Sequence, residues 1–141
     1  MTRTFSPYGN QMLMFSKLKA ERVAATSSAL QAGKGVYAIA TRDGTGAAIV
    51  VWNYQQTGYQ PYRVTIDMGR LPQELRGKPL RQRMFRIDDR VSNYWSNPEA
   101  ANLQMVSEKR IRPRVQHKVT VELTPNALQL VTLEPLPSAN K

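Results

Sequence analysis

The sequence predicts a mainly β protein, an antiparallel β-sandwich of about eight strands preceded by one N-terminal helix. Apolar residues recur at helical spacing only near the start of the chain, between Phe5 and Val23. From Arg22 onward, short alternating segments are separated by turn residues, which is typical of an all-β domain. At 141 residues the chain has the length of one ordinary domain with a real core.

The N-terminal helix is predicted from its start signals and its apolar residues. Ser6 suits the N-cap and Pro7 suits the first helical position. The apolar residues form a broad face: Tyr8, Met12 and Phe15 at helical spacing, with Leu13, Met14 and Leu18 beside them. A face of this breadth predicts contacts on more than one side of the helix.

The strands follow from alternation and from the turn residues between them. They are predicted at 22–27, 35–41, 47–54, 62–67, 80–88, 103–106, 118–123 and 127–133. Asp43-Gly44 is a hairpin signal, and Pro125 occupies a turn position between the last two strands. Strand 47–54 is apolar on both faces, so we expect it to be central and covered on both sides. These elements suggest a helical segment at 1–21, a sandwich at 22–134 and a flexible tail at 135–141.

The chain is strongly basic, with 20 Lys and Arg against 10 Asp and Glu, a formal charge of +10. Such a balance makes nucleic acid a partner to consider. The cations fall in two clusters: Arg76, Lys78, Arg81, Arg83, Arg86 and Arg90, then Lys109, Arg110, Arg112, Arg114 and Lys118. No helix-turn-helix, zinc-finger or Gly-rich RNA-binding signature accompanies them, so solvated strand faces and loops are favoured over a nucleic-acid site.

Several classes of site and location are disfavoured by composition. The absence of Cys excludes disulfides, thiolate metal sites and a Cys nucleophile. No P-loop, dinucleotide fingerprint or metal-ligand cluster is present, so no cofactor is expected. No apolar run could span a bilayer, and the N-terminus lacks the apolar core of a signal peptide. The chain is therefore either cytoplasmic or part of a longer secreted or periplasmic protein whose signal lies upstream.

The few acid and base candidates favour structural roles. His117, the only histidine, stands beside Lys118 at the start of a predicted strand, where an exposed hydrogen-bonding side chain is favoured over a catalytic base. Asp88 and Asp89 are adjacent, so in extended chain they point to opposite faces and cannot bracket a glycosidic bond. A turn at the strand end is the preferred interpretation. No catalytic residue is predicted.

The aromatic residues offer a binding hypothesis. Trp52, Tyr59 and Tyr62 could present ring faces as a sugar platform, although core positions are favoured for Trp52 and for Tyr54. Two further aromatics, Tyr94 and Trp95, follow a polar loop where packing within the domain does not require them. They are candidates for contact with a ligand or a neighbouring domain.

Three strings occur in an order that resembles a known family. They are SPYGNQMLMFSKLKAERV at 6–23, IVVWNY at 49–54 and FRIDDRVSN at 85–93. Together they resemble the C-terminal part of glycoside hydrolase family 39, the β-xylosidase and α-L-iduronidase-like enzymes. The resemblance implies that the helix is the last helix of a (β/α)₈ barrel, or a remnant of it, which leads into a β-sandwich.

The same resemblance implies that this chain lacks the catalytic machinery. The two catalytic glutamates of the family belong to the barrel, and no residue here matches them. The chain also departs from the pattern, since Arg90 and Val91 stand where an acidic residue and a histidine are expected. The residues implied to contact the barrel or its substrate cleft are Asp88, Ser92, Asn93, Tyr94 and Trp95.

The leading hypothesis is a non-catalytic accessory β-sandwich that supports the catalytic barrel of a glycoside-hydrolase-like protein. The parent would cleave O-glycosyl bonds, and its barrel would be the main partner. A free-standing carbohydrate-binding module is the alternative, and a basic nucleic-acid-binding domain is a less favoured third. No membrane partner is expected.

Overall fold

The chain forms two stacked β-sheets with a helix on the outer face of the larger sheet. The structure, a computed structural model, describes residues 7–31, 34–55, 59–93 and 102–137. The elements are α1 (Pro7–Phe15), β1 (Glu21–Val23), β2 (Leu30–Gln31), β3 (Lys34–Asp43), β4 (Gly46–Tyr54), β5 (Tyr62–Met68), a 3-10 turn (Gln73–Leu75), β6 (Leu80–Ile87), β7 (Gln104–Ile111), β8 (His117–Leu123) and β9 (Leu128–Pro135). The predicted fold class is confirmed.

The larger sheet has seven strands in the order β1-β3-β4-β9-β6-β7, with the short β2 also pairing with β3. All of its pairs are antiparallel. β9, the last strand, lies between β4 and β6 and so joins the two halves of this sheet. β5 and β8 form a separate antiparallel pair. No helix in these described ranges is long and apolar enough to cross a bilayer.

The inner core lies between the two sheets. Val36, Ile49 and Val131 of the larger sheet pack in one cluster with Val119 and Val121 of β8. On β8 the inward residues are buried and the residues between them are exposed, as the alternation of the sequence predicts. The sandwich is therefore held by aliphatic side chains that alternate along each strand.

β4 is buried on both faces. Ile49 and Val51 point into the inner core. Ala48 and Val50 point the other way, into a second cluster that includes Met14 of α1. The prediction of a central strand covered on both sides is confirmed, and the double covering explains why the strand is apolar without alternation.

The helix packs on the sheet through Asn10 and Met14, which are fully buried. Residues four apart lie on the same side of a helix, so these two side chains form one contact face. Met12 is 56% exposed and Phe15 is 36% exposed. Met12 and Phe15 of the predicted apolar face therefore lie exposed, and contact on a second side of α1 stays a prediction.

The turn between β3 and β4 confirms the hairpin predicted at Asp43-Gly44. One carboxylate oxygen of Asp43 accepts the backbone N–H of Thr45 at 2.7 Å and its hydroxyl at 2.6 Å. These bonds, led by that from the hydroxyl, hold the pKa of Asp43 below its usual value. Gly46 has φ +152°, and a Cβ there would collide with the backbone oxygen of Leu133. Only glycine fits this close approach.

Each of the eight predicted strands has a counterpart, but the first covers only Glu21–Val23 where 22–27 was predicted, and the short β2 was not predicted. Another strand, β7, is considerably longer than predicted. β7 extends to Ile111 because it stays paired with β6 over its whole length, with Leu80 opposite Ile111. Apart from Ile111, the added residues are polar or charged, which is common at a sheet edge. Backbone pairing with a neighbour, which periodicity does not report, fixes the length of this strand.

The helix contact can be tested at Met14. Met14→Ala should lower the free energy of unfolding by about 2–5 kcal/mol, because it leaves a cavity between α1 and the sheet. The exposed Met12 offers a matched control, and Met12→Ala should change stability by less than about 0.5 kcal/mol. Urea unfolding followed by far-UV circular dichroism measures both. Equal effects of the two substitutions would show that α1 is not packed as described.

Candidate functional site

The loop that follows β6, residues 88–93, is built around its own backbone. One carboxylate oxygen of Asp88 accepts the N–H groups of Arg90 at 2.8 Å and Val91 at 2.6 Å. The side-chain amide of Asn93 donates to the backbone oxygen of Asp88 at 3.1 Å. The interpretation of this segment as a strand-ending turn organised by Asp88 and Asn93 is confirmed.

Ser92 connects this loop to three elements. It is buried, with φ 57°. Its hydroxyl donates to the backbone oxygen of Arg86 on β6 at 2.6 Å and accepts the N–H of Gln104 on β7 at 2.8 Å. Its backbone oxygen accepts the side-chain amide of Asn10 on α1 at 2.7 Å. The loop, the helix and two strands therefore form one hydrogen-bonded unit.

The polar atoms of this loop are thus largely used within the domain. The Ser92 hydroxyl makes bonds within the chain both as donor and as acceptor. Tyr94 and Trp95 lie outside the described residues, so the five candidates are not placed as one set. Contact of the loop with a barrel or substrate stays a prediction.

A second group of buried polar side chains, around Asn53, connects the end of β4 to the neighbouring loops. The sequence analysis did not predict it. Asn53, fully buried on β4, donates through its side-chain amide to the backbone oxygens of Gln60 at 2.8 Å and of Leu123 and Thr124, both at 3.2 Å. Its side-chain oxygen accepts the amide of Gln55 at 2.8 Å. The available signal was an Asn inside an otherwise apolar strand. A buried amide with this many partners fixes the loop after β4 to the turn before β9.

The predicted sugar-platform residues do not share a surface. Trp52 is half-buried on the helix side of the larger sheet, where its ring stacks on Tyr37 at 5.3 Å between centroids. Tyr62 packs against the inner core between the sheets. Tyr59 is 89% exposed in the preceding loop. Of these three residues, only Trp52 belongs to an aromatic group within the described part of the chain.

That aromatic group includes a residue for which a core position was predicted. Tyr54 contacts Tyr37 edge to face at 6.3 Å and is 44% exposed, so the core prediction for Tyr54 was wrong. The reason is that β9 pairs with β4 only as far as Trp52, which stands opposite Leu128. Tyr54 therefore lies beyond the end of β9 and is paired on the β3 side alone, with Gly35.

The carboxylate of Glu108 is held in ion pairs with two arginines. Glu108 on β7 contacts Arg83 at 2.7 Å and Arg81 at 3.6 Å. The hydrogen bond from Arg83 is the main cause that lowers the pKa of Glu108 below its usual value. An ionised carboxylate of this kind cannot act as a general acid near neutral pH. Within residues 7–31, 34–55, 59–93 and 102–137, no group of three or more His, Asp or Glu could hold a metal ion.

His117 joins the two sheets. Its Nε2 lies 2.6 Å from the side-chain oxygen of Gln82 on β6, and the imidazole is half-buried rather than exposed as predicted. Burial, together with the nearby charge of Lys109, lowers the pKa of His117. The neutral imidazole is therefore the form that the folded protein favours.

A cavity of about 550 Å³ lies between β3 and β5. Its walls include Ala38, Ala40 and Ile49 of the larger sheet. The lining holds one carboxylate, Asp67, which accepts a hydrogen bond from Gln116 at 2.9 Å. Glycoside hydrolysis by the common mechanisms needs a pair of carboxylates across the bond, and this cavity does not supply it.

The fold is that of a two-sheet β-sandwich domain. Asn53, Asp88 and Ser92 form hydrogen bonds that connect its strand ends and loops to one another. No family model matches the sequence, and no curated protein matches it. Solved structures do match it in fold.

Three of these structures illustrate the likeness. The GH39 enzyme from Xanthomonas axonopodis pv. citri gives a TM-score of 0.66 at 18% identity, over 87% of this chain and 29% of that one. A monomeric β-xylosidase from Caulobacter crescentus CB15 gives 0.67 at 17% identity, with the same two coverages of 87% and 29%. A bacterial orthologue of human α-L-iduronidase gives 0.58 at 14% identity, over 75% of this chain and 23% of that one.

The resemblance to family 39 enzymes is thus confirmed at the level of fold. The chain spans less than a third of the length of each of these three enzymes. The fold of this chain therefore corresponds to one part of each of those enzymes.

The role of Ser92 can be tested by removing its hydroxyl. Ser92→Ala should lower the free energy of unfolding by about 1–3 kcal/mol, because two backbone groups lose a buried partner. Ser28→Ala, at an exposed turn, serves as the control and should change stability by less than about 0.5 kcal/mol. Thermal and urea unfolding measure both variants. A Ser92→Ala protein as stable as the control variant would contradict the described loop.

His117 should make stability depend on pH. Since its folded-state pKa lies below the unfolded value of 6.5, the unfolded chain binds the proton more readily. The free energy of unfolding should therefore fall as the pH drops through 6.5, and this loss should end once the pH is below the folded-state pKa.

The matched experiment compares urea unfolding of the wild type and of His117→Gln between pH 8 and pH 5. The variant should show a flatter profile in this window. Asp43 and Glu108, whose pKa values are lowered from 3.8 and 4.5, affect stability only at lower pH. Parallel profiles for the two proteins above pH 5 would contradict the role of His117.

Proposed function

We propose that this chain is a non-catalytic accessory β-sandwich of a larger glycoside-hydrolase-like protein, in which it supports a (β/α)₈ catalytic barrel. One observation carries the proposal: the structural match spans 87% of this chain but only 29% of the enzymes that it resembles. The remainder of such an enzyme would supply the chemistry. The parent protein would cleave O-glycosyl bonds, and this chain would contribute no catalytic residue.

The contacts of α1 support this assignment. Asn10 and Met14 fasten the helix to the sandwich, whereas Met12 and Phe15 are exposed on it. Exposed apolar side chains on a firmly attached helix suit contact with a second domain. We therefore place the barrel against the solvent side of α1, with the helical segment 1–21 as the junction, the sandwich at 22–134 and a tail at 135–141.

The loop at 88–93 is the second proposed contact with the barrel. It is rigid because its turn is closed by Asp88 and fastened to α1 through Ser92. A loop held in this way presents whatever follows it at a fixed position relative to the helix. Tyr94 and Trp95 follow it directly in sequence, and we propose that they pack against the barrel or its substrate cleft.

The first experiment is to determine the intact mass of the native gene product together with the reading frame upstream of Met1. The proposal expects a product longer by about the 250 residues of a barrel, with an Asn-Glu-Pro strand end in the added part. A native product that begins at Met1 would overturn it. The separate 141-residue chain should show no hydrolysis of aryl glycosides, and activity that survives replacement of its carboxylates would also contradict the proposal.

The contact with the barrel is testable in the longer protein. Met12→Asp with Phe15→Asp should lower the Tm of the barrel and leave that of the sandwich nearly unchanged, since both residues are exposed in the sandwich itself. Val115→Asp, which alters another exposed apolar residue, is the control. If the double variant and the control give the same two transitions in calorimetry, α1 does not face the barrel.

A carbohydrate-binding module is the second candidate, and one observation favours it. Tyr54 is exposed beside the stacked pair of Trp52 and Tyr37, so an aromatic surface is available to a sugar ring. Titration with xylan fragments should then change the Trp fluorescence of the wild type but not of Tyr54→Ala. An unresponsive wild-type spectrum would assign these rings to structure alone.

A further inference from the structure

One end of the sandwich carries a group of cations on its turns and on the adjoining end of β7. We define the basic end as Arg70, Arg76, Lys78, Arg110, Arg112 and Arg114. The two sequence clusters meet here because β6 pairs with β7, which places Arg81 opposite Arg110. Beneath the turns lies an apolar cluster that includes Leu71, Leu75 and Leu80.

The turns of the basic end are fastened to each other by backbone bonds. The N–H of Leu71 donates to the oxygen of Val115 at 2.8 Å, and the N–H of Gly77 donates to the oxygen of Pro113 at 2.7 Å. The guanidinium Nε of Arg112 donates to the backbone oxygen of Gly77 at 3.2 Å. Segments 70–79 and 111–116 therefore form one surface, in which the cations keep fixed relative positions.

The charge of this surface is not balanced. Of the ion pairs that the described part of the chain contains, none involves a residue of the basic end. Five of its six cations are exposed, and Arg76 is half-buried. Glu74 is the acidic residue on the turn between Leu71 and Lys78, and it is exposed. Six cations against this one carboxylate leave an excess of positive charge, which raises the local potential and attracts an anion.

Two arginines of this surface are each held by a hydrogen bond to the backbone. Arg76 donates through Nε to the backbone oxygen of Leu71 at 2.8 Å, as Arg112 does to Gly77. In both, Nε holds the side chain in place while the terminal nitrogens can still donate. A guanidinium fixed in this way pairs well with the two oxygens of a carboxylate.

We infer that the basic end binds an acidic polysaccharide through the carboxylates of its uronate units. The positive surface is observed independently of the proposed function, whereas the choice of a polysaccharide over other polyanions rests on it. Single-stranded nucleic acid fits less well, because its binding uses aromatic stacking. The large exposed apolar residue described at this end is Val115, which is aliphatic.

The test measures binding of the 141-residue chain to polygalacturonate by calorimetry at low and at physiological salt. Arg112→Gln with Arg114→Gln should weaken binding at least about fivefold, since two exposed charge contacts are lost. Arg63→Gln with Arg90→Gln removes the same charge elsewhere and should change the affinity less than twofold. Binding of the wild type should weaken as salt rises.

Three arms decide between ligands. Neutral xylan should not compete, whereas duplex DNA and vesicles with anionic lipid should bind more weakly than polygalacturonate at equal salt. Equal losses in the two double variants would overturn the assignment to the basic end. Tighter binding of DNA or vesicles would overturn the choice of polysaccharide, and no binding of any polyanion would end the inference. None of these results bears on whether a barrel precedes the chain, which the native mass decides separately.

Discussion

The burial of β4 on both faces is the constraint on which the rest of the structure depends. Its inward residues, such as Ile49, need the small sheet to cover them, and its outward residues, such as Val50, need α1. Each fully buried aliphatic side chain contributes about 1.5–3 kcal/mol relative to exposure. Removal of either layer would expose a whole face of the central strand. The helix is therefore part of the domain's core, although it precedes all the strands of the sandwich in sequence.

Because α1 covers one face of β4, the polar contacts near the start of the helix matter for its placement on the sheet. Asn10 bonds to Ser92, and Ser92 in turn bonds to β6 and β7. These bonds fix the helix at its N-terminal part, while Met14 fixes it further along by packing. An apolar face alone would allow the helix to slide over the sheet. Directional hydrogen bonds set its register, which is the usual contribution of buried polar groups to a core.

The strings that resemble family 39 enzymes contain the residues that close the strand ends. Asn53 belongs to one string, and Asp88 and Ser92 belong to another. In this structure all three bond to backbone groups of the same domain. The roles of these three residues are therefore explained by the fold, without reference to chemistry. A resemblance of this kind identifies an architecture, and the functional argument has to come from the exposed surfaces.

The elements predictable from sequence were those whose own side chains determine them. The alternation of β8 and the double apolar character of β4 follow from residues within each strand. The length of β7 does not follow from its own residues, because its charged half is held by backbone pairing to β6. The same limit applied to Asn53, whose partners at Leu123 and Thr124 lie 70 and 71 residues away. Local patterns carry no record of such distant partners.

The two ends of the sandwich have different chemistry, and this bears on how the proposed roles could coexist. β6 runs from Leu80, beneath the basic end, to Ile87, which leads into the loop held by Ser92. The proposed barrel contact uses that loop and the exposed side of α1, whereas the polyanion site uses the turns at the other end of the same strand. Neither proposed partner needs a residue assigned to the other. A domain arranged in this way could remain attached to a barrel while its basic end holds an acidic polymer, so the two interactions would be combined through a rigid sheet rather than through a shared site.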